Sequence, residues 1–311
     1  MIKNFIRLLS PAKVNLYLKI INKRKDNYHN IFSIFHTINL YDEIYIKENK
    51  FDKFQLKIVD ELSKKLSKTE KEKYSELIKC DEKNLIFKAL NKMRTKYKIN
   101  KFYEIKLIKR IPIGGGLGGG SSNAAQIIKF INKYEKLKLS YNDMIKICRE
   151  IGADVPYFIK GGLALVSGIG DKIINYNFNL DLKILLIYPK INTSTKAVYE
   201  NFKFDLTKKN KKYKIERFIN KKEILNFLKE KNYNNDLEKS CFELYPELKE
   251  IKETIIKNYD YEKVFLTGSG STMCVILDEK RKESDRQLKT LKKEFKDLVM
   301  YETFTSKVLK F

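Results

Sequence analysis

The chain's 311 residues carry 64 Lys and Arg against 39 Asp and Glu, a formal net charge of +25, with 43% hydrophobic and 12% aromatic residues. That apolar share excludes a disordered chain, the length allows two packed domains, and no apolar run reaches the ~20 residues of a membrane span. Four scattered cysteines (Cys80, Cys148, Cys241 and Cys274) with two histidines give no readable zinc site or disulfide framework, and charges at Lys3, Arg7 and Lys13 break any leader-like run, which predicts a cytoplasmic setting.

Residues 12–21 alternate as a strand, and residues 31–46 hold further strand-like stretches. Residues 60–82, rich in Lys, Glu and Ser, predict an exposed and partly helical insertion. An amphipathic helix follows over 85–97, with Leu85, Ala89, Leu90 and Met93 on one face. Residues 103–111 alternate again, Tyr103, Ile105 and Leu107 against Glu104, Lys106 and Lys109, and read as a strand. A glycine run comes next, then a helix over 123–134. A second helix starts at Ser140, whose hydroxyl caps it while Asp143 completes a capping box, and Gly152 ends it. Strand-like segments at 164–167 and 183–188 precede a polar stretch over 205–223. Helical patterns cover 221–232 and 236–258, and a strand–turn unit spans 264–277. This order predicts α+β character in two domains, 1–165 and 166–311.

Six of the chain's 13 glycines fall between Gly114 and Gly120, and none precedes Gly114. A strand feeding such a turn, with a helix opening behind it, presents free backbone N–H groups and the positive end of a helix dipole. That is an anion site, most often for phosphate. Ser121 and Ser122 add hydroxyls at the helix start, for phosphate or a water-bridged metal. A flexible linker is the plainer alternative, but linkers are not usually bracketed by a strand and a helix. No Lys follows the glycines, so the Walker pattern fails. The dinucleotide pattern lacks its following strand and acidic residue, and the protein-kinase companions VAIK, HRD and DFG are absent.

Residues 10–16 (SPAKVNL), the run PIGGGLGGGSSNAA and residues 266–272 (LTGSGST) resemble the three motifs of the GHMP small-molecule kinases. Residues 26–29 (DNYH), 151–156 (IGADVP), 167–170 (SGIG) and 194–199 (STKAVY) narrow the resemblance to members that act on a cytidine diphosphate alcohol. It covers residues 7–277. The resemblance implies a two-domain fold, with an N-terminal ATP-binding domain like domain 2 of ribosomal protein S5 and a ferredoxin-like C-terminal α/β domain. The active site would lie in the cleft between them. It further implies ATP with Mg²⁺ as phosphoryl donor and the 2-hydroxyl of 4-(cytidine 5′-diphospho)-2-C-methyl-D-erythritol as acceptor, in the methylerythritol phosphate route to isoprenoids. No specific nucleic acid or membrane partner is implied, and the chain would be a monomer or homodimer.

By the same resemblance Lys13 and Asp154 are catalytic and face one another. In isolation a strand lysine is usually solvated, and an Asp ahead of Val155-Pro156 is a turn residue. In the family's roles the carboxylate accepts the substrate hydroxyl's proton while the lysine orients it and offsets charge on the transferring phosphoryl. Pro112, Ile113, Gly114, Gly115, Gly116, Leu117, Gly118, Gly119, Gly120, Ser121 and Ser122 are assigned to ATP, with Asn84 and Lys109 lining its adenine pocket. Tyr28 and Tyr199 would stack on cytosine and His29 hydrogen-bond its edge. Asn15 and Thr195 fall to the sugar-alcohol and phosphate region, and Gly268, Ser269 and Gly270 to a second turn near the transferred phosphate. No acidic residue stands out as a metal ligand.

Asn27 departs from the family, standing where its DGYH motif has Gly, but Asn tolerates left-handed backbone. The lengthened region 60–82 also departs and is expected to touch no catalytic motif. Two rivals stay open. Another GHMP kinase, for mevalonate, homoserine or a sugar, would not need the Tyr28, His29 and Tyr199 set. A nucleic-acid-binding protein would suit the charge, yet only eight of the basic residues are Arg and they are spread along the chain.

Overall fold

The computed structural model describes residues 4–78, 80–204, 218–259, 263–277 and 284–306. The chain divides into two compact units. The first is Met1–Ala12, Leu40–Ile113 and Gly118–Lys160; the second is Lys13–Asn39, Gly114–Leu117 and Gly161–Phe311. Two long paired strands, β1 (Ile6–Lys23) and β2 (His29–Asn49), contribute residues to both. Residues 31–46 are thus part of one continuous strand. In β1, residues 12–18 are all buried, not alternately so, because both faces of the strand are covered.

In the first unit follow β3 (Gln55–Asp60), α1 (Lys68–Ser75), α2 (Leu85–Tyr97), β4 (Phe102–Lys109), α3 (Gly119–Tyr134) and α4 (Tyr141–Arg149). β4 pairs in parallel with β3 and antiparallel with the later half of β2, and α2 packs on α3. The buried face of α2 is Ile86, Ala89, Leu90 and Met93, so Ile86 takes the place expected of Leu85. Helix α3 opens at Gly119 instead of residue 123, since glycines form its first turn and carry no periodic signal. Helix α4 has the expected capping box, Ser140 accepting from the Asp143 N–H and Asp143 accepting in return. Along β4 the buried residues are Tyr103, Ile105, Leu107 and Lys109. Lys109 therefore belongs with the apolar set and not with Glu104 and Lys106, since it shares their two-residue period.

The second unit continues with β5 (Leu163–Gly168), β6 (Lys172–Asn175), β7 (Lys183–Tyr188), α5 (Thr195–Glu200), α6 (Lys221–Glu230), α7 (Leu237–Leu244) and α8 (Pro246–Tyr259). After these come β8 (Val264–Leu266), β9 (Met273–Leu277), α9 (Ser284–Glu294) and β10 (Val299–Phe304). β5 pairs with the first half of β2 and with β6, while β10-β7-β9-β8 form an antiparallel sheet. Its core joins Leu185, Ile187, Leu266, Met273 and Val275 from that sheet to Val198 of α5, Leu237 and Cys241 of α7, and Leu248 and Ile255 of α8. The helical pattern over 236–258 splits in two because Pro246 cannot continue α7; Tyr245 before it sits at φ −135° and ψ 74°. Residues 205–217 of the expected polar stretch lie outside the described residues.

Removing the α4 cap tests the local reading. Ser140→Ala should cost about 1 kcal/mol in urea unfolding, with no change in the slope of the transition.

Candidate active site

Lys13 and Asn15 lie on β1 in the second unit. Lys13 is 3% exposed, which a lysine on a solvated strand face would not be; its Nζ donates to Asn15 Oδ1 at 2.7 Å and stands 4.8 Å from the Phe35 ring centroid. Asn15 donates Nδ2 to Ser33 Oγ at 3.1 Å and its N–H to Thr267 Oγ1 at 2.9 Å. The Lys13 N–H donates to the Leu117 carbonyl at 3.0 Å. One strand thus ties an ammonium to both glycine turns.

Those turns touch backbone to backbone. A Cβ at Gly116, where φ is +74°, would stand 2.2 Å from the Thr267 carbonyl oxygen and 2.9 Å from that of Gly270. At Gly268, φ +59°, a Cβ would meet the Gly116 carbonyl oxygen at 3.2 Å. The Thr272 N–H donates to Gly115 O at 3.4 Å, and the Gly270 N–H closes its own turn on Thr267 O at 3.0 Å.

Ser269 Oγ lies 2.8 Å from Thr195 Oγ1 at the start of α5. The same helix carries Tyr199, whose ring centroid is 5.5 Å from that of His29; Phe202 and Phe204 flank His29 at 6.2 and 6.1 Å. Burial, with the Lys23 charge adding to it, lowers the His29 pKa. The ring is then neutral at physiological pH, with one nitrogen donating and one accepting. Tyr28 is 60% exposed at the neighbouring turn. That turn is closed by Arg24 N–H to Tyr28 O at 2.7 Å, and Asn27 adopts φ +66°, the left-handed conformation foreseen for it.

In the first unit the loop's flanks are pinned by a buried carboxylate. Asp42 accepts from Lys109 Nζ at 2.8 Å, from the Arg110 and Ile111 N–H groups at 2.8 Å each, and from Asn123 Nδ2 at 3.1 Å. Lys109 also donates to the Ile111 carbonyl. Asp42 and Lys109 are 0% and 5% exposed. Asn123 Oδ1 is buried with no partner among the described residues. Helix α3 starts on Gly118 with no side-chain cap and no acidic residue in its first turn, which leaves its leading N–H groups open to an anion. Ser122 is buried, its Oγ accepting from Ser10 at 3.0 Å, while Ser121 is half-buried. A Cβ at Gly119 would meet Lys109 Nζ at 3.0 Å, and one at Gly120 would meet Leu85 Cδ1 at 3.6 Å.

Asn84 caps α2, its Oδ1 accepting from the Ile86 N–H at 2.9 Å. Asp154 is half-buried in the turn between α4 and a short 3-10 helix, Pro156–Ile159, that packs against α3 and α4. Pro112 is buried ahead of Ile113, whose N–H donates to the Tyr74 hydroxyl of α1 at 3.0 Å. Region 60–82 therefore does reach the glycine loop, contrary to its expected isolation. Leu62, Leu66 and Tyr74 are buried within it, an apolar pattern that its Lys and Glu content obscures.

Within the second unit the structure brings together Lys13, Asn15, Gly114–Leu117, Gly268–Gly270, Thr195, Tyr199 and His29; the first unit holds Asn84, Lys109, Gly118–Ser122 and Asp154. Sequence reasoning missed Asp42, Tyr74 and the two phenylalanines beside His29. Asp42 had a signal, one of two adjacent carboxylates, with Glu43, inside the otherwise apolar strand NLYDEIYI. Among the described residues no group of three or more His, Cys, Asp and Glu could hold a metal ion, and no helix is long and apolar enough to cross a membrane.

Family models for the GHMP kinases N terminal domain and the GHMP kinases C terminal match residues 84–162 and 216–297. A 4-diphosphocytidyl-2-C-methyl-D-erythritol kinase of Persephonella marina is 39% identical over 267 residues, 86% of this chain and 89% of that protein. One of Sulfurihydrogenibium sp. is 38% identical over 270 residues, 86% and 90%. A crystal structure of 4-(cytidine 5′-diphospho)-2C-methyl-D-erythritol kinase superposes with a TM-score of 0.70 at 24% identity, covering 97% of this chain and 100% of that one.

Two substitutions test this geometry. Lys109→Met leaves Asp42 buried without its cation and should cost about 3–5 kcal/mol in urea unfolding. Asn27→Gly should shift stability by less than about 1 kcal/mol, because the turn already has the backbone glycine would adopt.

Proposed function

Since this chain belongs to the GHMP kinase family, we propose that it transfers the γ-phosphoryl group of ATP to the 2-hydroxyl of 4-(cytidine 5′-diphospho)-2-C-methyl-D-erythritol, the compound that its relatives, each a 4-diphosphocytidyl-2-C-methyl-D-erythritol kinase, carry in their name. The observation that carries this reading is one run of contacts in the second unit. It leads from buried Lys13 through Asn15 and Thr267 to the paired glycine turns, and on through Ser269 and Thr195 to Tyr199 and His29. A phosphate cradle is thereby joined to an aromatic group with a neutral histidine, chemistry suited to a pyrimidine.

The ATP phosphates fit a backbone-lined loop followed by the uncapped α3 N-terminus, where main-chain N–H groups supply the donors. Lys109 and Asn84 are committed to Asp42 and to the α2 cap, so their part in the adenine pocket is to shape it. Mg²⁺ would arrive with ATP, with Ser121 the residue placed to hold it through water, and would offset charge on the phosphates. In the transfer the acceptor oxygen bonds to phosphorus as the bond to the ADP oxygen breaks, and Asp154 takes the hydroxyl proton. Lys13 orients the acceptor and offsets the charge of the transferring group. A weakly basic carboxylate suffices in a loose transition state. Catalysis thus rests on placement.

We assign the family's N-terminal and C-terminal domains to residues 1–165 and 166–311, a division supported by the gap between the two matched segments at 162 and 216. A cytoplasmic setting is supported by free thiols at Cys80, Cys148, Cys241 and Cys274.

A coupled assay of ADP release should show turnover with the cytidine substrate and none with mevalonate; the reverse preference would overturn the substrate assignment. Asp154→Asn and Lys13→Met should each lower kcat by about a hundredfold or more with circular dichroism unchanged. Near-normal turnover in Asp154→Asn would remove it as the base.

A further inference from the structure

Asn235, which no motif above includes, sits on the short segment between α6 and α7 and is 5% exposed. Its Nδ2 donates to the Leu266 carbonyl at 2.7 Å and to the Gly268 carbonyl at 2.8 Å, while its Oδ1 accepts from the Leu237 N–H at 3.0 Å. Two carbonyls on one side and an N–H on the other leave the amide a single satisfying orientation. The carbonyls it holds flank Thr267, whose hydroxyl accepts from the Asn15 N–H. The clamp has a fixed base. The Leu18 N–H of β1 donates to Asn234 O at 2.9 Å, the Asp236 N–H returns to Leu18 O at 2.9 Å, and Asp236 Oδ2 accepts from the Ile20 N–H at 2.9 Å.

We infer that Asn235 is a positioning residue for phosphoryl transfer, fixing the second glycine turn against the strand that carries Lys13 and Asn15. This rests on the kinase reading above for its functional consequence, though not for its geometry. A side chain whose whole role was to start α7 would need its oxygen alone. The two donations to the turn are what distinguish a clamp from a cap.

Asn235→Asp separates the two. It keeps size and the acceptor for Leu237 but loses both donors, and sets carboxylate oxygen against two carbonyls. The charged groups on the elements around it are Asp236 and Glu238 on the same stretch, Lys252 of α8, which pairs with Glu238, and Lys13 of β1, which donates to the Asn15 bonded to Thr267; Glu238 also accepts from the Leu266 N–H at 3.1 Å. The introduced carboxyl will resist ionisation in that site, and its protonated form restores one donor. Steady-state kinetics from pH 6 to 8.5 should therefore show kcat/KM for the cytidine substrate at least tenfold below wild type at pH 8. The deficit should narrow toward pH 6. The KM for ATP should stay within twofold.

A folded Asn235→Asp enzyme with wild-type constants overturns the proposal, as does an equal loss toward both substrates that ignores pH. Amide exchange gives an independent readout in Asn235→Ala, and serves if the Asp variant does not fold. The Gly270 N–H should exchange at least tenfold faster than in wild type while the core amides of α8 keep their rates; unchanged exchange at Gly270 also overturns it. If wild type itself does not turn over the cytidine substrate, the proposed function fails, and exchange at Gly270 still decides whether the clamp exists.

Discussion

The arrangement of the second unit depends on a steric constraint: two glycine turns meet with no room for a side chain between them. At Gly116 a Cβ would overlap the Thr267 carbonyl oxygen at 2.2 Å, a distance no packing adjustment of a main-chain atom absorbs cheaply. The consequence is chemical as well as steric. Turns built this closely leave main-chain groups as the lining, and main-chain donors have no rotamer freedom to lose when an anion arrives. The chain uses 13 glycines in 311 residues, so their concentration here reflects a site that tolerates little else.

Around this constraint the protein uses buried polar groups as struts. Among the described residues of a chain with 64 Lys and Arg, the buried basic side chains are Lys13 and Lys109. Removing an ammonium from water costs several kcal/mol unless bonds replace the lost hydration, which sets these two apart from a solvated lysine surface. Lys109 recovers that cost with Asp42, whose carboxylate also receives two main-chain N–H groups and Asn123, locking the end of β4 to the start of α3. Lys13 is held on β1 by Asn15. One lysine secures the entry to the loop. The other is held beside the second glycine turn, where we propose that the chemistry occurs.

What the sequence disclosed divides along the range of the interactions involved. Local determinants were readable: the α4 capping box, the extent of α2, and the left-handed tolerance of Asn27 all follow from a few neighbouring residues. Long-range determinants were not. Lys109 looked like one more lysine on a polar face, because the carboxylate that draws it inward lies 67 positions away. Tyr74 was hidden in a segment whose Lys and Glu content suggests solvent, and only the fold carries its hydroxyl to the Ile113 N–H. The split of residues 236–258 at Pro246 was readable in principle; helical periodicity on both sides masked it. Asn235 offers no local signal, since an asparagine between two helices reads as a cap until the strand end it reaches is known.

The phosphate-binding features alone do not choose an acceptor. Backbone donors and a helix N-terminus would serve any phosphoryl donor, and a fold by itself does not fix a substrate. Discrimination has to come from groups that meet the rest of the acceptor, and the groups we propose for this are set on two different elements. His29 begins β2, while Tyr199 is on α5, and Thr195 on that same helix touches Ser269 of the second turn. A base held between the aromatic group and His29 would therefore be registered through α5 to the second glycine turn. Since catalysis of this kind depends on alignment more than on strong acids or bases, binding energy gained at the base can be expressed as placement at the hydroxyl. On the proposed reading recognition and reactivity share one path through α5, and the +25 charge, spread along the chain, selects no acceptor.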